Sequence, residues 1–197
     1  MEVNNLNSDI EKKINLAKNE EKVFVWLLDG GGNFAGNFVF DLDVGARLTN
    51  IFLFSASDTD DLRVNISVSH HGENSFSKTM VYGVGRGHGT ASVAGGVRIL
   101  KNAKHSSAWL EGRALLFGES SCRIDPKLEI ETNEVERAGH AATVSRVSDE
   151  ELFYMSARGV AKNDAEKLKS DGFLFSPLLK SGVGFEEARE IVKSFII

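Results

Sequence analysis

A long series of short apolar runs, separated by turn residues, constrains the fold of this chain more than any other feature. The runs are rich in β-branched and aromatic residues, and Gly, Asn, Asp and Ser stand between them from Val23 to about Thr132. They are Val23–Leu28, Phe38–Leu42, Leu48–Phe54, Leu62–Val68, Met80–Val84, Val97–Leu100, Ala114–Phe117 and Leu128–Ile130. Such runs predict strands. In the run from Leu62, apolar and polar residues alternate, which predicts one face on a core and the other in water.

Two architectures accommodate many short strands with turn-rich spacing, a β-sandwich and a parallel β-helix. The runs recur at roughly 10 to 20 residues, which is compatible with the stacked rungs of a solenoid. The spacing alone leaves both architectures open. A solenoid would need its terminal rungs capped, either by other segments of the chain or by a partner subunit.

The first residues of the chain predict a short helix instead of a strand. Residues 7–20 combine Ile and Leu with interleaved Lys and Glu, which favours an exposed helix capped by Asn7 or Ser8. We expect this helix to lie at the periphery of the fold.

Helices are also predicted after the strand-rich segment. Ser148-Asp-Glu-Glu151 has the sequence of a capping box, so a helix is expected to begin there and to end near Gly159. Asn163 and Glu166 repeat the capping pattern before a helix that is expected to stop at Gly172. The predicted organisation is an N-terminal helical segment (1–22), a β core (23–146) and a C-terminal helical region (147–197).

Composition excludes several classes of function. The chain has 23 basic and 28 acidic residues, a net charge of -5, and no run of five like charges, so nucleic-acid binding is not expected. It has neither a signal-peptide pattern nor a membrane-spanning segment, which predicts a cytoplasmic protein without a membrane partner. The single cysteine, Cys122, excludes an intramolecular disulfide and cannot supply the four thiolates that usually hold an iron-sulfur cluster.

Several spaced motifs stand in one order near the C-terminal end. They are Pro126-Lys-Leu-Glu-Ile130, His140-Ala-Ala-Thr143, Leu152-Phe-Tyr154 with Arg158-Gly159, Asp164-Ala-Glu-Lys-Leu168, and Gly172-Phe173. This order resembles the SufB/SufD family of the SUF iron-sulfur cluster assembly system, continuously from roughly Ala91 to Phe173. Ser69-His70-His71-Gly72 and Ser75 to Ser77 resemble an upstream piece of the same core.

The resemblance implies both a fold and a function. The fold would be mainly β, a right-handed parallel β-helix with a small C-terminal helical region. The protein would be a short, SufD-like, non-catalytic subunit of iron-sulfur cluster assembly that binds a SufC-type ABC ATPase. It would also pair with a second β-helix, as a homodimer or as a heterodimer with a SufB-type subunit.

His140 and Cys122 are the candidate ligands for iron. The family's matching histidine lies near the contact between two β-helix subunits, and a neutral imidazole can ligate iron. The alternative is that His140 ends the last rung and bonds backbone there. Cys122 is a weaker candidate, because the SufB acceptor cysteine matches Gly112, and an inert buried thiol is the alternative. SufB also has a glutamate where this chain has Ala141.

The C-terminal region is the candidate docking surface for the ATPase. The resemblance assigns partner binding there, to Tyr154, Arg158, Gly159, Ala165, Glu166, Lys169 and Phe173. The logic is a helical contact with an aromatic anchor and an arginine at its edge. For Leu152, Phe153 and Leu168 we expect packing of the tail onto the last rung instead.

Other functions have weaker support. The glycine clusters Asp29–Gly32 and Gly83–Gly89 fit turns, because neither has the order of a nucleotide-binding loop. The remaining histidines lack metal-ligand spacing. No cofactor is expected to bind tightly to this chain alone; a transient iron-sulfur cluster at a subunit interface is expected instead. Two rival hypotheses are a SufBD-like scaffold that has lost cluster chemistry and a carbohydrate-active β-helix enzyme.

Overall fold

The structure, a computed structural model, describes residues 1–29 and 31–195. Consecutive strands alternate between two parallel sheets, sheet A in the order β1-β3-β5-β7-β9-β11 and sheet B in the order β10-β8-β6-β4-β2. The strands are β1 (Glu2–Leu6), β2 (Ile10–Leu16), β3 (Glu21–Asp29), β4 (Asn33–Leu42), β5 (Arg47–Ala56), β6 (Asp61–His70), β7 (Phe76–Gly85), β8 (Thr90–Ile99), β9 (Ser107–Leu116), β10 (Ser121–Ile130) and β11 (Arg137–Arg146). This confirms the parallel β-helix, with about five turns.

Each rung, one strand of each sheet, stacks on the next without a shift in register. Alternate side chains of every strand point into the solenoid, so each inward residue lies over the inward residue of the neighbouring rung. The interior is largely apolar and rich in aromatic rings: the rings of Trp26 and Phe52 stack at 5.9 Å, and those of Phe38 and Phe52 meet edge-on at 4.9 Å. Gly83 is required here, because a Cβ at this position would overlap the Phe54 ring.

The predicted helix at residues 7–20 is wrong. This segment contains β2, which pairs with β4 from Ile10 opposite Gly36 to Leu16 opposite Leu42. Ile10 and Ile14 fit a helical spacing, but Ile10, Ile14 and Leu16 all fit a period of two, and pairing with β4 supplies backbone hydrogen bonds along one edge of the strand. The resulting strand turns these apolar side chains towards the core.

Three helices follow the β core: α1 (Asp149–Ser156), α2 (Lys162–Lys180) and α3 (Phe185–Phe195). The capping box at α1 is confirmed, since the Ser148 hydroxyl accepts from the Glu151 backbone N–H and the Glu151 carboxylate accepts from the Ser148 N–H. The predicted cap at Asn163 and the predicted stop at Gly172 are both wrong. Helix α2 begins after Ala161 without a side-chain cap and continues through Gly172.

Packing explains why α2 continues. A glycine inside a helix costs about 1 kcal/mol, but residues beyond Gly172 bury apolar area that more than offsets this. Leu174 and Leu178 are fully buried in a second core, between the helices and the outer face of sheet A. No helix within the described residues is long and apolar enough to cross a membrane.

The prediction of turns for Gly83–Gly89 is only partly confirmed: Gly83 and Gly85 lie in β7, whereas Gly87 and Gly89 lie between β7 and β8. Gly87 has a φ of +57° in the turn between β7 and β8, a conformation that favours glycine. Gly31 and Gly32 also have positive φ, between β3 and β4. Gly30 lies outside the described residues.

Candidate functional site

The last rung, formed by β10 and β11, leaves an apolar end of the solenoid open. In the part of the chain that the structure describes, β10 pairs only with β8, and β11 only with β9. Register with the inner residues of β8 and β9 identifies the inward positions as Cys122, Ile124, Leu128, Ile130, Ala138, His140, Ala142 and Val144. Ile130 is 46% exposed and Val144 is 43% exposed. At this end of the solenoid, Ile130 and Val144 are exposed to solvent, although the corresponding inward residues of the neighbouring rung are buried.

The first rung differs in the chemistry of its inward positions. Glu2 and Asn4 lie over Phe24 and Trp26, and Lys12 lies over Phe38. Glu2 and Lys12 are exposed there, and their charged groups suit contact with water. The apolar exposure is thus a property of the last rung and not of both.

His140 lies at the centre of β11, in register with Leu110, which is buried in the solenoid. Its backbone takes part in the strand ladder, while its side chain is exposed on the open end. The imidazole is consequently available to a ligand or a partner. The structure therefore keeps open the reading of His140 as a ligand.

Cys122 is half-buried at the start of β10 and packs against the solenoid core. Burial raises the pKa of its thiol to about 12. Because the thiolate is the nucleophile and the metal ligand, this environment disfavours both roles at neutral pH. The geometry supports the alternative of an inert thiol.

The structure does not bring His140 and Cys122 together. Leu110 lies beneath His140 and contacts Gly95 on β8. Gly95 pairs with Pro126, which follows Cys122 by four residues along β10. Four residues of strand span about 13 Å. Among the described residues, no group of three or more His, Cys, Asp or Glu side chains could hold a metal ion.

Gly112, the position that matches the SufB acceptor cysteine, faces the interior of the solenoid. A Cβ at Gly112 would lie 2.5 Å from Cγ2 of Ile124. The space that a cysteine side chain would need is filled by the opposite sheet. Ala141, the other departure, is exposed in register with Glu111 on the outer side of sheet A.

The C-terminal helices expose a second apolar surface, which we call the tail surface: Phe153, Tyr154, Arg158 and Leu168. Phe153 is 74% exposed, and Tyr154 and Leu168 are each 58% exposed. The Arg158 guanidinium lies 4.4 Å from the centre of the Tyr154 ring, a favourable cation–π contact. The prediction that Phe153 and Leu168 pack the tail is wrong, whereas Leu152 is buried as expected.

The other predicted partner-binding residues have mixed positions. Ala165 is fully buried, so its side chain cannot touch a partner, and the Phe173 ring packs on Tyr82 at 5.2 Å. Lys169 pairs with Glu151 at 3.1 Å and joins α2 to α1. Gly159 is exposed after α1 with a φ of +86°, and Glu166 is half-buried, facing away from the tail surface into a cavity with Arg86.

The upstream motif at His70 forms a buried polar network. Nδ1 of His70 lies 2.7 Å from the Ser75 hydroxyl, and Nε2 lies 2.8 Å from the Ser77 hydroxyl. The Ser75 hydroxyl donates to the Gly72 carbonyl at 2.8 Å. All three side chains are buried, so the network supports the corner between β6 and β7 and has no access to a substrate.

Comparison with known proteins gives a consistent result. A family model described as SUF system FeS cluster assembly, SufBD core domain, matches residues 31–173. The chain is 31% identical over 147 residues to an iron-sulfur cluster assembly SufBD family protein of Mycobacterium tuberculosis, covering 70% of this chain and 36% of the relative. It is 33% identical over 108 residues to the iron-sulfur cluster assembly protein SufD of Bacillus subtilis, covering 54% of this chain and 24% of that protein.

A third relative is an iron-sulfur cluster assembly SufBD family protein of Galdieria sulphuraria. It is 32% identical over 105 residues, covering 53% of this chain and 47% of the relative. The chain thus spans less than half of the length of these relatives. What is similar is the core of the relatives and not their whole length.

Proposed function

Since this chain belongs to the SufBD family of iron-sulfur cluster assembly proteins, we propose that it is a non-catalytic subunit of such a machinery. It binds a SufC-type ABC ATPase through its helical tail and a second β-helix subunit through its last rung. The observation that carries the proposal is the tail surface, where Phe153, Tyr154 and Leu168 are exposed and Arg158 lies against the Tyr154 ring.

The tail surface has the composition of an interaction hot spot. Aromatic residues and arginine dominate such sites, and a free surface seldom keeps them exposed together without a partner. Leu152 of α1 and Ala165 of α2 are buried in the same second core, and the Glu151–Lys169 ion pair links the two helices at the surface. Pre-ordering reduces the entropy that binding must overcome.

The last rung supports the second contact. Ile130 and Val144 expose apolar area at the end of a stack of strands, and β11 offers an unpaired edge at which another strand can bind. A second copy of this chain and a SufB-type subunit both fit this chemistry. Either one would cover His140 and place it at the contact between two β-helices.

An iron-sulfur cluster would be cargo at this contact, held only transiently. The exposed imidazole of His140 can supply one neutral ligand. The raised pKa of Cys122 makes its thiol a poor second ligand, so the remaining ligands would come from the partner. ATP-driven movement of docked ATPases would change the geometry at the contact.

A scaffold that has lost cluster chemistry is the second candidate. The position of Gly112 favours it, because the acceptor cysteine of SufB is replaced by a residue that Ile124 covers. Iron and sulfide analysis after anaerobic reconstitution with the ATPase separates the two. A complex that retains both elements supports the first candidate, and a complex that retains neither supports the second.

Paired substitutions test the tail surface. We expect Phe153→Ala and Arg158→Glu each to weaken ATPase binding roughly 30-fold, the effect of losing one hot-spot residue. Phe185→Ala and Arg189→Glu change an exposed aromatic and an exposed arginine on α3 and should leave binding unchanged. Affinity is measured by isothermal titration calorimetry, and far-ultraviolet circular dichroism confirms folding. Equal effects at both sites would refute the assignment of the surface.

A further inference from the structure

The outer face of sheet A carries a second exposed site at the beginning of its strands, beside the C-terminal end of α2. Stacked registers place Arg47, Phe76, Ser107 and Arg137 in one row across four strands. The next row contains Lys78, Trp109 and Gly139. None of these residues belongs to the second core beneath the helices.

The two rows form a hollow with aromatic sides. Phe76, Lys78, Ser107, Ala108, Trp109 and Arg137 enclose about 280 Å³. The indole of Trp109 lies over Gly139, where a Cβ would collide with the ring. With the small Ser107 beside it, this arrangement leaves a gap between the two aromatic side chains. Trp109 is 37% exposed.

The cations around the hollow lack anionic partners. Arg47 stacks on the Phe76 ring at 4.6 Å, and Lys78 donates to the Lys180 carbonyl at 3.2 Å. Within the described residues, no carboxylate lies within 4 Å of the charged groups of Arg47, Lys78 or Arg137. Two acids lie at the edges of the hollow: Glu21 stands in register with Arg47, and Glu136 accepts from the Ser107 hydroxyl. The chain as a whole carries a net charge of -5, so this is a local excess of positive charge.

We propose that this hollow docks an acidic segment of a partner protein. An apolar side chain of the segment enters the gap between Phe76 and Trp109, and its flanking carboxylates meet Arg47, Lys78 and Arg137. Tryptophan and arginine around a small pocket are the usual anchors of protein interfaces.

This site is distinct from the tail surface. Strand β11 runs for 10 residues from Arg137, at the hollow, towards α1. That length of strand corresponds to about 33 Å. The proposal therefore goes beyond ATPase binding, and the tail variants leave it unaffected.

The test uses the synthetic peptide acetyl-Glu-Asp-Glu-Phe-Glu-Asp-Glu-amide. Trp26 is buried and Trp109 is exposed, and these are the two tryptophans of the chain, so a saturable change in tryptophan fluorescence reports on the hollow. We expect binding that weakens at least tenfold when alanine replaces the phenylalanine of the peptide. Lysine in place of its acidic residues should abolish binding. Raising the salt concentration should also weaken binding, because the charges are exposed.

Variants of the protein locate the binding. Arg137→Glu should lower the affinity at least tenfold, and so should Gly139→Ala, which displaces the indole without changing charge. Isothermal titration calorimetry measures the affinity of these variants for the peptide without relying on tryptophan fluorescence. Lys127→Glu is the matched control, because it removes an exposed cation from sheet B; it should have no effect beyond that of net charge.

Three results would overturn the proposal. The first is no saturable peptide binding by the wild-type chain. The second is tighter binding of oligothymidylate than of the peptide, which would identify a nucleic-acid platform. The third is loss of self-association in Arg137→Glu, measured by light scattering, which would identify the occupant as a second copy.

Discussion

Lowering the pH from 7 to 5 should destabilise the fold through the buried histidine, His70. Because the Ser75 hydroxyl donates to the Gly72 carbonyl, the His70 Nδ1–H donates to Ser75, and the Ser77 hydroxyl donates to Nε2. Both ring nitrogens of the neutral imidazole are thus satisfied. Protonation would add a hydrogen at Nε2 and force the Ser77 hydroxyl to turn away from its acceptor.

The magnitude follows from the pKa. Burial lowers the pKa of His70 from 6.5 to about 4 in the folded protein, with a smaller contribution from the charge of His71. The unfolded chain therefore binds more protons between these values. The stabilisation is complete above pH 6.5 and is lost as the pH falls towards 4. The loss is about 2 kcal/mol at pH 5 and about 3 kcal/mol at pH 4.

Urea denaturation at a series of pH values measures this effect. The wild type is compared with His70→Gln, whose side chain keeps a donor and an acceptor but does not titrate, and with His71→Gln as the control at an exposed histidine. As the pH falls from 6.5, we expect the free energy of unfolding of His70→Gln to decrease less than that of the wild type. The difference should be about 2 kcal/mol at pH 5 and about 3 kcal/mol at pH 4. Equal slopes in the wild type and His70→Gln would refute the reasoning.

Three further outcomes are expected. Gly112→Cys should lower stability by about 1–3 kcal/mol through overpacking against Ile124, and Ile124→Ala in the same chain should relieve the clash; equal stability of Gly112→Cys and wild type in urea would contradict it. Cys122 should react with Ellman's reagent far more slowly than free cysteine at pH 8, because burial raises the pKa of its thiol to about 12; a rate equal to that of free cysteine would refute this. Ser148→Ala should cost about 1 kcal/mol by removing the cap from α1, and an unchanged melting temperature would show that the cap is dispensable.

The strands from Val23 onwards could be predicted because turn residues separate their β-branched and aromatic runs. The run from Leu62 shows this best, since its buried and exposed residues alternate as expected. The first rung was missed because Ile10 and Ile14, four residues apart among charged residues, fit a helix as well as a strand. The pairing with β4 that decides between them is a tertiary contact and leaves no local signal.

The candidate sites were predictable to a smaller extent. The motif order identified the family, and a capping box marked the start of α1. Whether Phe153 faces the core or water depends on the direction in which α1 leaves β11, which the sequence does not encode locally. The hollow at Trp109 depends on stacking β7, β9 and β11 in register, and these strands lie about 30 residues apart in sequence. Val144 could have been predicted as an inward residue of the last rung, because it follows His140 and Ala142 at every second position.

The central claim is that this protein is an ATPase-binding subunit of cluster assembly. Size-exclusion chromatography with light scattering tests it most directly, on the chain with and without the SufC-type ATPase of the same source, together with the rate of ATP hydrolysis. The account predicts a stable complex whose mass contains both proteins and whose ATP turnover differs from that of the ATPase alone. Separate elution of the two proteins with unchanged turnover would contradict it.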